Sequence, residues 1–152
     1  MGIPPGEVDK RIESMTKALR DERLRLTHQR LEIIREIART DEHPGVERVY
    51  ARVRSRVPTI SLDTVYRTLG TLARHGLVDR VAVTVGPVRY DANVARHHHF
   101  VCERCGKVRD VVDPVLDAVR APRSALTIGA VESVDVQLRG VCKECARKGE
   151  RQ

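Results

Sequence analysis

At 152 residues the chain has room for one ordinary domain or two small ones. It is 41% hydrophobic and 32% charged, which excludes a disordered polyelectrolyte, and no window reaches the roughly 18 apolar residues of a membrane span. The formal charge is +7; seventeen Lys and Arg against thirteen Asp and Glu leave +4 on residues 1–91, and eleven against eight leave +3 on 92–152.

The basic excess fits a polyanionic partner. Only Tyr50, Tyr66, Tyr90 and Phe100 are aromatic, so any core is built from Val, Leu, Ile and Ala. Small aliphatic cores are marginal, and a metal or a partner chain often supplies the deficit. The first 25 residues lack the apolar stretch of a signal peptide, so the cytoplasm is the expected compartment. There, four cysteines suggest metal or redox chemistry rather than disulfides.

Four helices are expected in the first half. The first covers about residues 7–23, with Val8, Ile12, Met15 and Leu19 at helical spacing. A second, about 28–40, follows Thr27 as N-cap and carries Leu31, Ile34 and Ile37 on one side. The third, about 45–57, carries Val46, Val49, Val53 and Val57 and stops before Pro58. The fourth starts at Ser61, another N-cap, and ends at Gly76. Leu62, Val65, Leu69 and Leu72 form its buried seam, leaving Asp63, Tyr66, Arg67, Gly70 and Arg74 outside. "LVDRVAVT" and "PVRYDA" then read as a hairpin with Gly86 in the turn. Helices followed by a two-stranded wing suit a winged helix-turn-helix whose last helix enters the major groove, although a plain helical bundle fits the same pattern.

The second half carries all four cysteines, as Cys102-x-x-Cys105 and Cys142-x-x-Cys145. Two such knuckles complete a tetrahedral shell of thiolates, with structural Zn²⁺ as the expected ion. With zinc bound to four thiolates the half's charge falls from +3 to +1, leaving the basic excess mainly in the first half. Strands are expected over "FVCERCGKVRDV" and "VESVDVQLRGV", the latter alternating Val134, Val136 and Leu138 with polar residues, and a short helix at about 114–121. So little apolar mass implies dimerisation, most simply about a twofold axis.

Immediately before the first knuckle stands "RHHHF". In an extended segment His97 and His99 point to one side and His98 to the other. Taken singly, His43 before Pro44 reads first as a loop cap, and Asp91 as a partner for Arg89.

"RLTHQRLEII", "SLDTVYRTLGTLARHGLV", "RYD", "HHHFVCERCGKV" and "GVCKEC" occur in the order seen in the Fur family of metal-dependent repressors, which the chain resembles from about residue 15 to 148. The resemblance implies an α+β protein: a winged helix-turn-helix domain over 1–92, a hinge at about 90–96 and a small α/β dimerisation domain over 97–152. It implies a regulatory Fe²⁺ or Mn²⁺ site formed by His43, Asp91, His97, His99 and Asp110, distinct from the zinc of Cys102, Cys105, Cys142 and Cys145. Nitrogen and oxygen donors of that kind suit either ion. The implied partners are a second copy of the chain and a palindromic, A/T-rich duplex, touched by Arg25, Arg30, Thr64, Tyr66 and Arg67, with no membrane and no enzymatic activity.

Asp110, where iron-uptake members often carry Glu, Val134 in the late strand and the lack of a spare cysteine resemble the peroxide-sensing PerR branch. Resemblance to that branch implies oxidation of His43 and His97 by peroxide at bound iron. The alternatives are a Fur- or Mur-type repressor responding to Fe or Mn alone, a zinc-ribbon interaction module, and, more distantly, a non-haem iron enzyme. His28 departs from the Pro usual in the family at its position, and residues 120–133 match poorly.

Overall fold

The computed structural model describes residues 3–149 and divides the chain into two compact units, Met1–Val94 and Ala95–Gln152. In the first unit α1 (Pro5–Asp21), α2 (His28–Ala38), α3 (Val46–Arg54) and α4 (Leu62–Arg74) precede β1 (Asp79–Val81) and β2 (Arg89–Asp91). Pro5 opens α1, where its missing N–H costs nothing. Thr27 caps α2 by accepting from the Arg30 N–H, and Ser61 caps α4 by accepting from the Thr64 N–H.

Two helices end in the same way. After α1 the Leu24 N–H returns to the Leu19 carbonyl (2.9 Å) and the Arg23 N–H to Arg20 (2.8 Å). After α4 the Leu77 N–H returns to Leu72 (3.0 Å) and the Gly76 N–H to Ala73 (3.1 Å). Both are Schellman motifs, which place one residue in the left-handed region. Gly76 fills that position after α4 (φ 65°), whereas Arg23 fills it after α1 (φ 54°).

Met15 and Leu19, Ile33, Ile34 and Ile37, Val49 and Val53, and Val65, Leu69 and Leu72 meet in one core, joined by Val78 and Tyr90 from the wing. Two expectations for these faces need correction. Ile33 is fully buried while Leu31 is only half-buried, so the apolar side of α2 is rotated towards Ile33. Leu62 is exposed, because it opens α4 beyond the reach of the other helices, and Gly70 is buried in its place.

The surfaces of α2 and α3 are joined by charge. Arg56 reaches Glu32 (3.0 Å) and Glu36 (2.9 Å), and Arg52 reaches Glu36 (3.3 Å) and Glu42 (2.6 Å). The Arg35 guanidinium, hydrogen-bonded to Glu32, holds that carboxyl below its ordinary range against the opposing effect of burial.

β1 and β2 pair antiparallel, with Asp79 opposite Asp91, and Gly86 (φ 90°) lies in the connection. Three residues per strand is shorter than the hairpin pattern suggested, because Val85, Pro87 and Val88 are exposed and take no part in pairing. A Tyr90 N–H bond to the Pro44 carbonyl (3.0 Å) ties β2 to the loop that follows His43.

The second unit is a three-stranded sheet, β3 (His98–Cys102), β4 (Val108–Val111) and β5 (Gln137–Gly140), in the order β4-β3-β5. β4 is antiparallel to β3, and β5 is parallel to it. The parallel pair needs a crossover, which carries α5 (Pro114–Asp117) and α6 (Arg123–Leu126); α7 (Lys143–Gly149) follows. The helix expected at about 114–121 is a single turn, capped by Asp113 and without a buried residue. α6 occupies part of 120–133, and β5 is shorter than the alternation of Val134, Val136 and Leu138 implied. Among the described residues no helix is long and apolar enough to cross a membrane.

Candidate metal centres and nucleic-acid interface

β3 runs into the first knuckle. The Gly106 N–H returns to the Cys102 carbonyl (2.9 Å) with Gly106 at φ 68°, which folds Cys105 back towards Cys102. The second knuckle follows β5, and the Cys142 N–H donates to the Cys102 sulfur (3.3 Å). The four sulfurs lie within 4.8 Å of one another, with Cys105 and Cys142 3.8 Å apart. Four sulfurs around zinc at about 2.3 Å are separated by about 3.8 Å, the distance between Cys105 and Cys142, so the donor set suits Zn²⁺.

Its protonation points the same way. Burial resists ionisation of Cys102, yet backbone N–H groups of Cys142, Cys105 and Arg104 aimed at its sulfur hold the thiol down at about 6. Hydrogen bonds with Cys105 and Cys142 push Cys145 up to about 12. Four thiolates this close repel one another unless a cation neutralises them, and a coordinated thiol is deprotonated outright. Lys107 and Glu144 pair at 2.6 Å beside the knuckles, and Arg104 donates to the Cys145 carbonyl (3.2 Å).

A second donor set lies on one face of the same sheet. His99 sits directly opposite Asp110 in the β3–β4 register, so both side chains point the same way, and His97, two residues earlier, shares that side. The Nε2 atoms of His97 and His99 are 2.8 Å apart, and Asp110 Oδ1 lies 3.3 Å from the first and 3.8 Å from the second. His97 Nδ1 lies 2.6 Å from the Ala95 carbonyl, which only accepts. Nδ1 therefore carries the proton, and the Nε2 lone pair faces the cluster. Adjacent ligands at about 2.1 Å from one ion stand about 3 Å apart, so two imidazoles and a carboxylate at these separations can share a face of a coordination shell.

The first unit holds its own pair. Nε2 of His43 lies 3.2 Å from Oδ2 of Asp91, and both side chains are almost wholly buried. Asp91 is held by the Asn93 N–H at Oδ1 (2.8 Å), and His43 adopts φ 51°, rare for a residue with a side chain. The structure therefore pairs Asp91 with His43, which corrects the reading of Asp91, taken singly, as a partner for Arg89.

His98 is the residue that sequence reasoning left without a role. It is fully buried on the opposite face of β3; Nδ1 accepts from the Val136 N–H (3.1 Å) and Nε2 donates to Asp117 (3.2 Å). It joins the central strand to α5 and to the residue preceding β5. Strand alternation was the available signal, since it sets His98 apart from its neighbours.

On α4, Tyr66 and Arg67 are exposed. Tyr66 donates to Glu47 (3.1 Å), a contact that holds its phenol above the ordinary range, and Arg67 pairs with Asp63 (2.8 Å). Thr64 is hydrogen-bonded to the Ser61 hydroxyl (2.8 Å). Arg30 donates to the Arg25 carbonyl (2.6 Å), which brings those two residues together at the start of α2. His75 caps the end of α4 and pairs with Glu22 (3.2 Å).

A helical unit ending in a β-wing, followed by a small mixed sheet bearing a cysteine cluster and a histidine–carboxylate cluster, defines a metalloregulator-type α+β protein. The sequence model of the Ferric uptake regulator family matches residues 21–139, and the chain belongs to that family. The Peroxide-responsive repressor PerR of Staphylococcus epidermidis is 32% identical over 142 residues, 93% of this chain and 95% of that protein. The crystal structure of the Campylobacter jejuni peroxide stress regulator superposes with a TM-score of 0.67 at 31% identity, over 86% of this chain and 98% of that one. The Helicobacter pylori ferric uptake regulator shares the fold, with a TM-score of 0.75 at 22% identity over 91% and 93% of the two chains.

Proposed function

We propose that the protein is a metal-dependent, DNA-binding transcriptional repressor that senses hydrogen peroxide. The observation that carries this reading is the pair of chemically distinct donor sets on one small sheet: four sulfurs that close a shell, and His97, His99 and Asp110, which leave one open. His43 and Asp91 complete the second set. Five residues separate Asp91 from His97 in the chain. Nitrogen and oxygen donors select Fe²⁺ or Mn²⁺ at the regulatory site, and the cysteines hold Zn²⁺.

Bound Fe²⁺ would supply the one-electron chemistry that activates H₂O₂. The residues do the rest: Asp110 and Asp91 hold the charge of the ion, and His43 and His97 are the side chains that gain oxygen. Similarity to peroxide-responsive repressors at 29–32% identity supports the reading. Arg25, Arg30, Thr64, Tyr66 and Arg67 are the proposed DNA contacts, with the fourth helix in the major groove of a palindromic, A/T-rich operator. Dimerisation through the second unit is supported by its exposed Val112, Val115 and Ile128, which are 74%, 77% and 89% exposed.

A gel shift with such a duplex in Mn²⁺ and in chelator tests the repressor reading. Retardation in Mn²⁺ and its loss in chelator are expected; no retardation in either would leave a zinc-bearing interaction module. Repeated H₂O₂ turnover by the Fe²⁺ form, in place of a single oxidation, would instead mark an enzyme.

A further inference from the structure

Two side chains on the outer face of α4 are each held by a carboxylate, and the two cases differ. Arg67 gives its Nε to Asp63, one turn away on the same helix, in a pair that is largely exposed and contributes little. Tyr66 gives its hydroxyl proton to Glu47 Oε1 (3.1 Å), which belongs to another helix.

The packing of both helices sets this contact. Val46, Val49 and Val53 turn one side of α3 inward, and Val65, Leu69 and Leu72 do the same for α4, which leaves Glu47 and Tyr66 outside. Glu47 lies in the first turn of α3, where the unsatisfied N–H groups of the helix favour a negative charge. Its second oxygen stands 3.6 Å from where a Cβ on Gly45 would be, so the carboxylate curls back over that helix end. Among the described residues no Lys, Arg or His pairs with it. The phenol is the side chain that answers this carboxylate, while Tyr66 stays 46% exposed.

A phenol has one proton and acceptor lone pairs. Hydrogen bonds to an ionised group are roughly twice as strong as those between neutral ones, so the proton stays directed into the carboxylate. The oxygen can then only accept from any further partner. In the major groove adenine N6 and cytosine N4 donate, whereas guanine O6 and thymine O4 accept. An accept-only phenol matches the first two and meets the others lone pair against lone pair.

We propose that Glu47 determines base specificity through Tyr66: by taking the phenol proton it makes Tyr66 select adenine or cytosine over guanine or thymine at one position of the bound duplex. This role rests on the repressor reading above, which places Tyr66 on the base edges. Glu47 is a positioning residue and touches no base itself. Its charge also repels phosphates, but that effect is equal for all sequences and so separable from selection.

The test gives a library of sequence-randomised duplexes to the full-length, zinc-containing, Mn²⁺-loaded protein as wild type, Glu47→Ala, Tyr66→Phe and the double variant, and sequences the bound fractions. Both side chains are exposed, so the variants keep the fold. In wild type one position should favour adenine or cytosine. Glu47→Ala should weaken that preference roughly fivefold, the size of one hydrogen bond, with other positions unchanged. Tyr66→Phe should weaken it as well, and adding Glu47→Ala to Tyr66→Phe should change it no further, as expected of two groups acting as one.

Preferences untouched by either single substitution overturn the proposal, as does a uniform gain in affinity in Glu47→Ala with selection intact. An equal effect of Glu47→Ala with and without the phenol overturns it too, because Glu47 would then act elsewhere. Wild type that retains no duplex fails the repressor reading and this role together; wild type that binds and selects without the coupling fails this role alone.

Discussion

Single residues carry sharply different demands in this chain. Arg23 and Gly76 occupy the same position in two Schellman motifs, at φ 54° and 65°. A side chain there suffers the left-handed clash that glycine avoids, partly offset by glycine's greater loss of freedom on folding. Arg23→Gly should therefore stabilise the protein by about 0.5–1 kcal/mol in urea unfolding. Gly76→Ala should destabilise it, and equal midpoints would remove the strain argument. His98 gives the opposite case. Truncating it to Ala leaves the Val136 N–H and the Asp117 carboxylate without their partner, a loss of about 1–3 kcal/mol. Asp110→Glu moves the carboxylate by one methylene; metal-dependent DNA binding should persist while oxygen gain at His43 and His97, read by mass spectrometry of their peptides, falls.

At the scale of elements, the ion-pair lattice between α2 and α3 has a definite pH signature. The folded state holds Glu32 below its unfolded value, so the unfolded chain binds its proton first as pH falls. Its contribution is present above the unfolded value and lost as pH drops through the depressed folded one. Glu32→Gln should cost stability at neutral pH, with the gap closing in acid; a constant gap would place the effect in packing. The knuckles are the other decisive elements. Structural zinc contributes about 10–16 kcal/mol of apparent free energy near neutral pH, more than a small unit's own stability. Cys142→Ser should lose zinc, dimerisation and DNA binding together, and one zinc per chain in that variant would remove the four-cysteine assignment.

How much of these elements was legible follows from how local their causes are. Thr27 and Ser61 act within three residues, so both caps could be read directly. The parity of His97, His98 and His99 depends only on strand alternation. The rotation of α2 towards Ile33, the exposure of Leu62 and the shortness of β5 depend on what packs against them from far along the chain. The pairing of His43 with Asp91 likewise spans 48 residues of sequence, and no local pattern announces it.

For the molecule as a whole, two proposals meet: that a second copy covers the apolar surface of the second unit, and that peroxide acts through the proposed regulatory ligands. Sedimentation should give twice the 17.1 kDa chain mass, falling to a single chain when zinc is removed. The more direct test is fluorescence anisotropy of a palindromic, A/T-rich duplex with the Fe²⁺-loaded protein before and after H₂O₂, beside the Mn²⁺-loaded protein treated identically. Release of DNA by the Fe²⁺ form alone, with the zinc still bound, is the expected result. Fe²⁺-loaded protein that stays on DNA, with His43 and His97 unoxidised, would contradict peroxide sensing and leave a repressor that responds to iron or manganese alone.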